Sequence, residues 1–347
     1  MKKLKIAQIA PLWIPVPPRT YGGIELMVNN LTLGLRSHGH DVTVFASGDS
    51  TIPGPLISPT DKALWLQKDA RNPHATIIKM LAMIKELGKE FDIIHNHFNF
   101  FMFPLALMGD MPPILTSIRS PLDKLYADTI KMFPQINFVT ISNDAKVAAS
   151  DFGIEVKDVV YNGIDIEKYP FNPQHSDYLL YLSRINRGKG IITAIKVAKS
   201  LGKKLIIAGN IVGFNEWNYF MQEVQPYLND SEIKFVGQAN FNEKIELMKN
   251  AYAFLFPIEV REAFGNVMIE AMACGTPVIA FNRGSVSEII EHGKTGFIVN
   301  SEEEMISSVS RIDSIDRMAC RKAVEEKFTL DHMVNNYERV YENIVQK

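Results

Sequence analysis

Short runs of apolar and β-branched residues, bounded by turn residues, alternate along the chain with longer segments whose apolar positions recur at helical spacing. That is the pattern of repeated βαβ units. In the first half the runs KIAQIAP, DVTVFAS, DIIH, PILTSI, FVTIS and VVYNG predict strands, with Leu4 to Ala10 as the first, and Gly23 to Ser37 and His74 to Lys89 predict helices. Runs such as LKIAQIA are apolar on both faces, as a parallel sheet covered by helices on each side requires. After Gly163 the segment IDIEKYPFNPQHSD carries Pro170, Pro173, several charges and no sustained period, the character of an interdomain connection. The alternation then restarts with YLLYLS, KKLIIAG, EIKFVG, AYAFLF, PVIAF and GFIV. The expected organisation is α/β: a doubly wound domain over 1–165, a second over 166–328, and a terminal helix over 329–347. Met333, Tyr337, Tyr341 and Ile344 fall on one face of that helix, which needs a surface to pack on, such as the first domain.

Composition narrows the function without naming it. A chain of 347 residues holds about two domains of ordinary size, and 46% apolar with 22% charged residues excludes a disordered or fibrous chain. The formal charge of −2 gives no global reason to expect nucleic acid as a partner. Cys274 and Cys320 are too few for a disulfide framework, and a cytoplasmic setting is expected. The start, MKKLKIAQIAPLWIP, interrupts its apolar run with Gln8 and prolines and lacks a small-residue cleavage site, unlike a signal peptide. The greasiest later stretch, Phe98 to Met108, contains Asn99 and Pro104 and is too short to cross ~30 Å of bilayer as a helix. A buried helix is one reading of it; a hydrophobic acceptor groove or a peripheral membrane contact is the other.

In sheets of this kind ligands bind beyond the carboxyl ends of the strands, so the loops after strands carry the candidate chemistry. In PLWIPVPPRTYGGIE, Gly22 and Gly23 precede a helix and expose amides suited to phosphate, or they form a plain glycine turn. The loop lacks the G-x-G-x-x-G spacing of a dinucleotide fold, which argues against a nicotinamide enzyme. In LSRINRGKGI, Arg184 and Lys189 stand on a strand-to-helix loop, where they either hold a diphosphate or form a solvated charge cluster. Three cations there, Arg187 included, sit at the unfavourable end of a helix dipole and call for an anion nearby. Lys189 is expected to face solvent. In REAFGNVMIEAMACGTPVIAF, Glu270 belongs on a helix through Val267 to Ala273 and Glu262 on the loop before it, where two carboxylates can accept from sugar or ribose hydroxyls. Glu270 lies in an apolar setting and needs a hydroxyl or cation partner.

These segments resemble a known family. YGGIE, RSHGHDVTVFA, DIIHNH, VTISNDAK, VVYNGID, LSRINRGKG and the block from REAFGNVMIEAMACGTPVIAF to HGKTGFIV together are similar to the retaining glycosyltransferases of family 4, and the likeness covers nearly the whole chain. The opening segment with FASGDS further resembles the subset labelled pterin-glucosyltransferase-like. The resemblance implies the GT-B fold, with two Rossmann-like domains facing across a cleft, the first on the acceptor side and the second binding a nucleoside diphosphate sugar. It implies that Arg184 and Lys189 hold the donor diphosphate, that Glu262 contacts the donor sugar, and that Glu270 binds the ribose hydroxyls. Gly22 and Gly23 would line the diphosphate from the other domain. Backbone groups of Val236, Gly237 and Gln238 would read the base, and Phe264, Gly265, Asn266 and Val267 would offer amides to phosphate. It also implies no cofactor and no metal, because cations and helix N-termini neutralise the departing diphosphate.

His95 and His97 of DIIHNH are expected on opposite faces of a strand, with no further ligand at metal spacing, so a metal centre is not expected. The resemblance places His97 beside the reacting sugar. Many relatives carry a histidine where Arg119 of TSIRS stands, and Arg119 faces either an acidic acceptor or a surface ion-pair partner. The reading that follows is transfer of a hexose from a UDP-sugar, UDP-glucose for example, to an acceptor hydroxyl with retention. The alternatives are a nucleotide-sugar epimerase or hydrolase on the same fold, and a non-catalytic nucleotide-sugar binding module.

Overall fold

A computed structural model describes residues 2–20, 22–67, 72–229 and 231–346. The chain divides into two compact units, Met1–Gly163 with Leu330–Lys347, and Ile164–Thr329. The first holds strands β1 (Lys5–Ile9), β2 (Asp41–Phe45), β3 (Leu56–Ile57), β4 (Ile93–Asn96), β5 (Ile114–Ile118), β6 (Asn137–Thr140) and β7 (Asp158–Val159). Its helices are α1 (Gly23–Ser37), α2 (Pro73–Leu87), α3 (Lys124–Lys131) and α4 (Asn143–Asp151). The strands form one parallel sheet in the order β3-β2-β1-β4-β5-β6-β7. The second unit holds β8 (Tyr178–Leu182), β9 (Lys204–Ala208), β10 (Ile233–Phe235), β11 (Ala253–Phe256), β12 (Val278–Phe281) and β13 (Gly296–Val299). Between them run α5 (Ile191–Ser200), α6 (Gly213–Tyr219), α7 (Phe241–Asn250), α8 (Asn266–Ala273), α9 (Val286–Ile289), α10 (Glu302–Val309) and α11 (Arg317–Lys327). Its sheet is parallel in the order β10-β9-β8-β11-β12-β13. Both sheets reverse direction next to their first strand, between β1 and β4 and between β8 and β11, and each reversal opens a crevice at the carboxyl edge.

The apolar runs work as two-faced strands. In the first unit Ala7, Ile9, Ile94 and Phe138 pack with Ile77 and Met80 of α2 and Ile130 of α3, whereas Ile6, Ile93, Leu115 and Val139 pack on the opposite face with Leu31 of α1. The last helix, α12 (Leu330–Val345), returns to this face. It buries Met333, Val334, Tyr337, Val340, Tyr341 and Ile344 beside α1. Gly34 of α1 stands against Val334 so closely that a Cβ there would lie 2.3 Å from a valine methyl.

The stretch from Phe98 to Met108 forms a 3₁₀ helix, Asn99–Leu107, with Pro104 inside it. Phe98, Met102, Phe103 and Leu105 enter the core, while Phe100 and Leu107 are exposed. A 3₁₀ turn repeats every three residues, and proline denies the i to i−4 bond an α-helix would need there.

Candidate active site

Helix starts are capped in more than one way, and α6 and α9 have no side-chain cap bond. Side chains cap α2 (Asn72), α3 (Asp123), α4 (Ser142), α7 (Asn240), α10 (Ser301) and α11 (Asp316). The three helices leaving the crevice strands β1, β8 and β11 are capped instead by Gly22, Gly190 and Gly265, all at positive φ and with no side-chain cap bond. A helix N-terminus dressed this way presents amides and a positive dipole end to an anion. Gly190 is also required by space, since a Cβ would lie 1.8 Å from the carbonyl oxygen of Pro257, in the loop after β11. That close approach brings together the loops after β8 and β11. Across them, Lys189 Nζ donates to Glu262 Oε2 at 2.7 Å, and the second oxygen of Glu262 accepts from the Ala263 amide at 3.1 Å. Lys189 is therefore a half-buried, paired cation, 25% exposed at its side chain, not the solvent-facing one expected from its loop position.

The anions called for by the charge cluster come from the protein itself. Arg184 Nε lies 2.6 Å from Glu216 Oε1, an ion pair whose angle does not make a hydrogen bond, and Arg187 pairs with Glu223. On α8, Glu270 is 2% exposed, and its Oε1 accepts from Tyr169 Oη at 3.0 Å and from Lys244 Nζ at 2.6 Å. Among the described residues no donor reaches its Oε2. Burial and the Glu270 charge push the Tyr169 hydroxyl well above its ordinary range, so it stays a donor. Two of the backbone groups expected to read a base are already spent: the Val236 amide donates to Ile207 O, and Gly237 O accepts from Gly209. Phe264 is buried, and its carbonyl accepts from Ser285 Oγ at 2.9 Å; Gly265, Asn266 and Val267 form the start of α8.

In the first unit the carboxyl edge carries a buried polar ring. Residues two apart on a strand share a face, so His95 and His97 are neighbours with ring centroids 3.9 Å apart, and the expectation of opposite faces is corrected. Arg119 Nε donates to His97 Nδ1 at 3.2 Å, which leaves the His97 proton on Nε2 to reach Gln8 Oε1 at 2.6 Å. Gln8 Nε2 donates to Tyr341 Oη, which then donates to His95 Nδ1 at 2.7 Å. His95 Nε2 in turn reaches Ser117 Oγ at 2.8 Å, and Ser117 meets Tyr337 Oη at 2.9 Å. Arg119 Nη2 closes the ring on Tyr337 Oη at 3.2 Å. Burial, with the Arg119 charge adding to it, holds both histidines well below the ordinary imidazole range, so both are neutral. His97 is 1% exposed with both nitrogens engaged, and Arg119 is 8% exposed with no carboxylate within 4 Å among the described residues, which removes the surface ion pair from its two readings.

Comparison with known proteins now bears on this geometry. The family described as Glycosyl transferases group 1 matches residues 165–324, and Glycosyltransferase Family 4 matches residues 21–168, so each unit is matched separately. The chain is a glycosyltransferase of the GT-B type. It is 23% identical to the O-antigen chain mannosyltransferase C of Escherichia coli over 95% of this chain and 96% of that one. It is 25% identical to the glycogen synthase of Mycobacterium tuberculosis over 81% and 79%. Among solved structures it is similar to Anabaena HepE in complex with UDP and glucose (16% identity, TM-score 0.79, covering 98% of this chain and 100% of that one) and to the sucrose-phosphate synthase of Thermosynechococcus elongatus (18%, 0.80, 99% and 99%).

Within this glycosyltransferase the structure brings Lys189 and Glu262 together and places Arg184, Gly265, Asn266, Val267 and Glu270 at the same carboxyl edge of the second sheet. Gly22 and Gly23 open α1 at the carboxyl edge of the first; Tyr21 of the same motif lies outside the described residues. Sequence reasoning missed Tyr169 and Lys244 as partners of Glu270, because they stand far from it in the chain. It also missed the ring; its one signal is Gln8 inside an otherwise apolar strand. Among the described residues no group of three or more His, Cys, Asp or Glu is gathered as for a metal, and no helix is long and apolar enough to cross a membrane. A cavity of about 730 Å³ lies at the opposite, amino edge of the first sheet, lined by Met108, Pro113, Asn137, Asp158 and Asn343.

Glu25, in the first turn of α1, is buried, and desolvation raises its carboxyl to about 7 against a lowering backbone hydrogen bond. The folded protein thus holds a proton that the unfolded chain releases near pH 4.5, and stability falls as pH rises from about 4.5 to 7. Glu25→Gln should stabilise the protein at pH 8 by about 3 kcal/mol and leave it unchanged at pH 4. Denaturant melts of both proteins across that range check this; a pH-independent difference refutes the buried proton.

Proposed function

We propose that this glycosyltransferase moves a hexose from a UDP-sugar to an acceptor hydroxyl with retention, in the cytoplasm and without a metal or other cofactor. The observation that carries the reading is the Lys189–Glu262 pair at 2.7 Å, set between the glycine-capped starts of α5 and α8 at the crevice of the second sheet. A lysine ammonium has three donors, so Lys189 can keep Glu262 and still reach a phosphate oxygen. Arg184 and Lys189 then neutralise the leaving diphosphate, helped by the amides at Phe264 to Val267, and Glu262 faces the donor sugar. Glu270, anchored through Oε1 by Tyr169 and Lys244, has Oε2 for the ribose hydroxyls. The base would meet Val236, Gly237 and Gln238, and Gly22 and Gly23 would offer amides to the diphosphate. HepE, similar in fold, was crystallised with UDP and glucose.

In the chemistry proposed, the bond from the anomeric carbon to the diphosphate oxygen breaks while the acceptor oxygen bonds to the same face of that carbon. The acceptor proton passes to the departing diphosphate. No carboxylate serves as covalent nucleophile, and the carboxylate-pair rule of glycoside hydrolases does not transfer. His97 would stand beside the reacting sugar, its ring held in place by Gln8 and Arg119.

Thermal-shift screening of nucleoside diphosphate sugars tests the donor class: UDP and one UDP-hexose should raise the melting temperature above the values with other nucleotides. No stabilisation by any nucleotide sugar refutes the reading. An epimerase or hydrolase would consume the donor alone at full rate and yield a new nucleotide sugar or free hexose. Activity should also survive metal stripping and excess EDTA, since cations and amides do the neutralising; loss restored by Mg²⁺ or Mn²⁺ contradicts that assignment.

A further inference from the structure

The second buried arginine of this chain shows what a purely structural guanidinium looks like. Arg317, also 8% exposed, gives hydrogen bonds to Asn172 O, Ala251 O, Lys249 O and Thr276 Oγ1, three of them backbone carbonyls. Arg119 is different in three ways. It follows β5 at the carboxyl edge of the first sheet, where ligands of doubly wound folds bind. Its acceptors are His97 Nδ1, Asn162 Oδ1 at 2.7 Å and Tyr337 Oη, all neutral side-chain atoms, and no carboxylate lies within 4 Å among the described residues. One N–H on each terminal nitrogen has no acceptor among the described residues, so the guanidinium keeps donors for a carboxylate or phosphate.

The polar ring explains why no proton shift inside the protein relieves this charge. His97 accepts from Arg119 and donates to Gln8, His95 accepts from Tyr341 and donates to Ser117, and both tyrosines are locked by their neighbours. The direction of each link from His97 round to Ser117 follows from Arg119 donating to His97 Nδ1. The ring holds the guanidinium in one orientation and supplies no negative charge. A buried, uncompensated cation is costly unless a partner arrives.

We infer that Arg119 is a specificity residue that binds an anionic substituent, a carboxylate or phosphate, on the sugar seated at the carboxyl edge of the first unit. The inference rests on the glycosyl-transfer reading. The anion belongs either to the acceptor, as in a hexuronic acid or a sugar phosphate, or to the donor hexose, as in a UDP-hexuronic acid. Asn162 and Tyr337 are positioning residues, since they set the fork and carry no charge.

The test is calorimetric titration of the full chain, in saturating UDP, with glucuronate, glucose 6-phosphate and glucose, and in a second arm without UDP, with UDP-glucuronate and UDP-glucose. Expected is a preference of about tenfold or more for the anionic member in one arm, and that arm identifies the source. Arg119→Gln should abolish the preference and Arg119→Lys should keep part of it, with circular dichroism confirming the fold of each. Equal binding of anionic and neutral sugars by the wild type in both arms overturns the inference without needing a variant. A preference that survives in folded Arg119→Gln also overturns it, as does a loss of affinity for UDP itself in that variant. Failure of the wild type to bind UDP at all falls on the donor reading instead, so the two failures are distinguishable.

Discussion

Lys189→Ala is expected to lower the transfer rate by about 100-fold, equivalent to about 2.7 kcal/mol of transition-state stabilisation. Negative charge grows on the diphosphate as the glycosidic bond breaks, and an ammonium fixed beside it gains most in the transition state. The variant also strands Glu262, whose side chain is only 15% exposed, so a stability loss on the order of 1–2 kcal/mol should accompany it. Adding Glu262→Gln to Lys189→Ala removes the stranded charge and should restore stability; because Glu262→Gln lowers transfer by itself, the rate effect of the lysine is read from folded Lys189→Ala alone. Steady-state kinetics on Lys189→Ala, with denaturant melts on it and on the double variant, decide this. A folded Lys189→Ala protein with wild-type turnover contradicts the phosphate assignment.

The two glutamates should divide the donor between them. Glu270→Gln keeps a carbonyl that can accept from Tyr169 and Lys244 but replaces the oxygen assigned to the ribose with a donor, or forces the amide to turn away from Lys244. Loss of charge-assisted bonds to the ribose should weaken UDP itself by about 10- to 100-fold. A contact to the hexose cannot contribute to binding of UDP, which lacks it. Glu262→Gln should therefore leave UDP affinity within about twofold while cutting transfer by about 100-fold. Were Glu270 merely the buried ion-pair partner that ties α7 to α8, its substitution would lower the melting temperature and leave UDP binding by the folded protein intact. Titration of both variants with UDP and with the best UDP-hexose distinguishes these outcomes. Equal losses of UDP affinity, or none in Glu270→Gln, contradict the division.

What could be read from the chain follows from the range over which each signal acts. Strands apolar on both faces announce a covered parallel sheet, and the alternation Ile6 against Ala7 or Ile93 against Ile94 is visible in the letters and in the packing alike. The glycines at 22, 190 and 265 stand where helices begin, a local signal, and the structure adds that they open the helices after three of the four crevice strands, β1, β8 and β11. β3, only Leu56–Ile57, has too few residues to show a period and was not anticipated. Partners across the fold were out of reach. The need of Glu270 for a donor follows from its apolar surroundings, but Tyr169 and Lys244 come from elements that only the tertiary structure brings to it. The expectation about His95 and His97 failed on local geometry, because a period of two puts i and i+2 on one side. That same period aligns Gln8, His95 and Ser117 on the face that α12 covers, and so assembles the ring that Tyr337 and Tyr341 complete.

The most direct test of the proposed function is an NMR time course of the enzyme with a panel of α-linked UDP-hexoses and a panel of sugar acceptors, reading nucleotide and anomeric signals together. The expected result is release of UDP matched by a new α-linked glycoside, dependent on the acceptor and lost in Lys189→Ala. A β-linked product, a donor converted to another nucleotide sugar without transfer, or product formation unaffected by Lys189→Ala would contradict it.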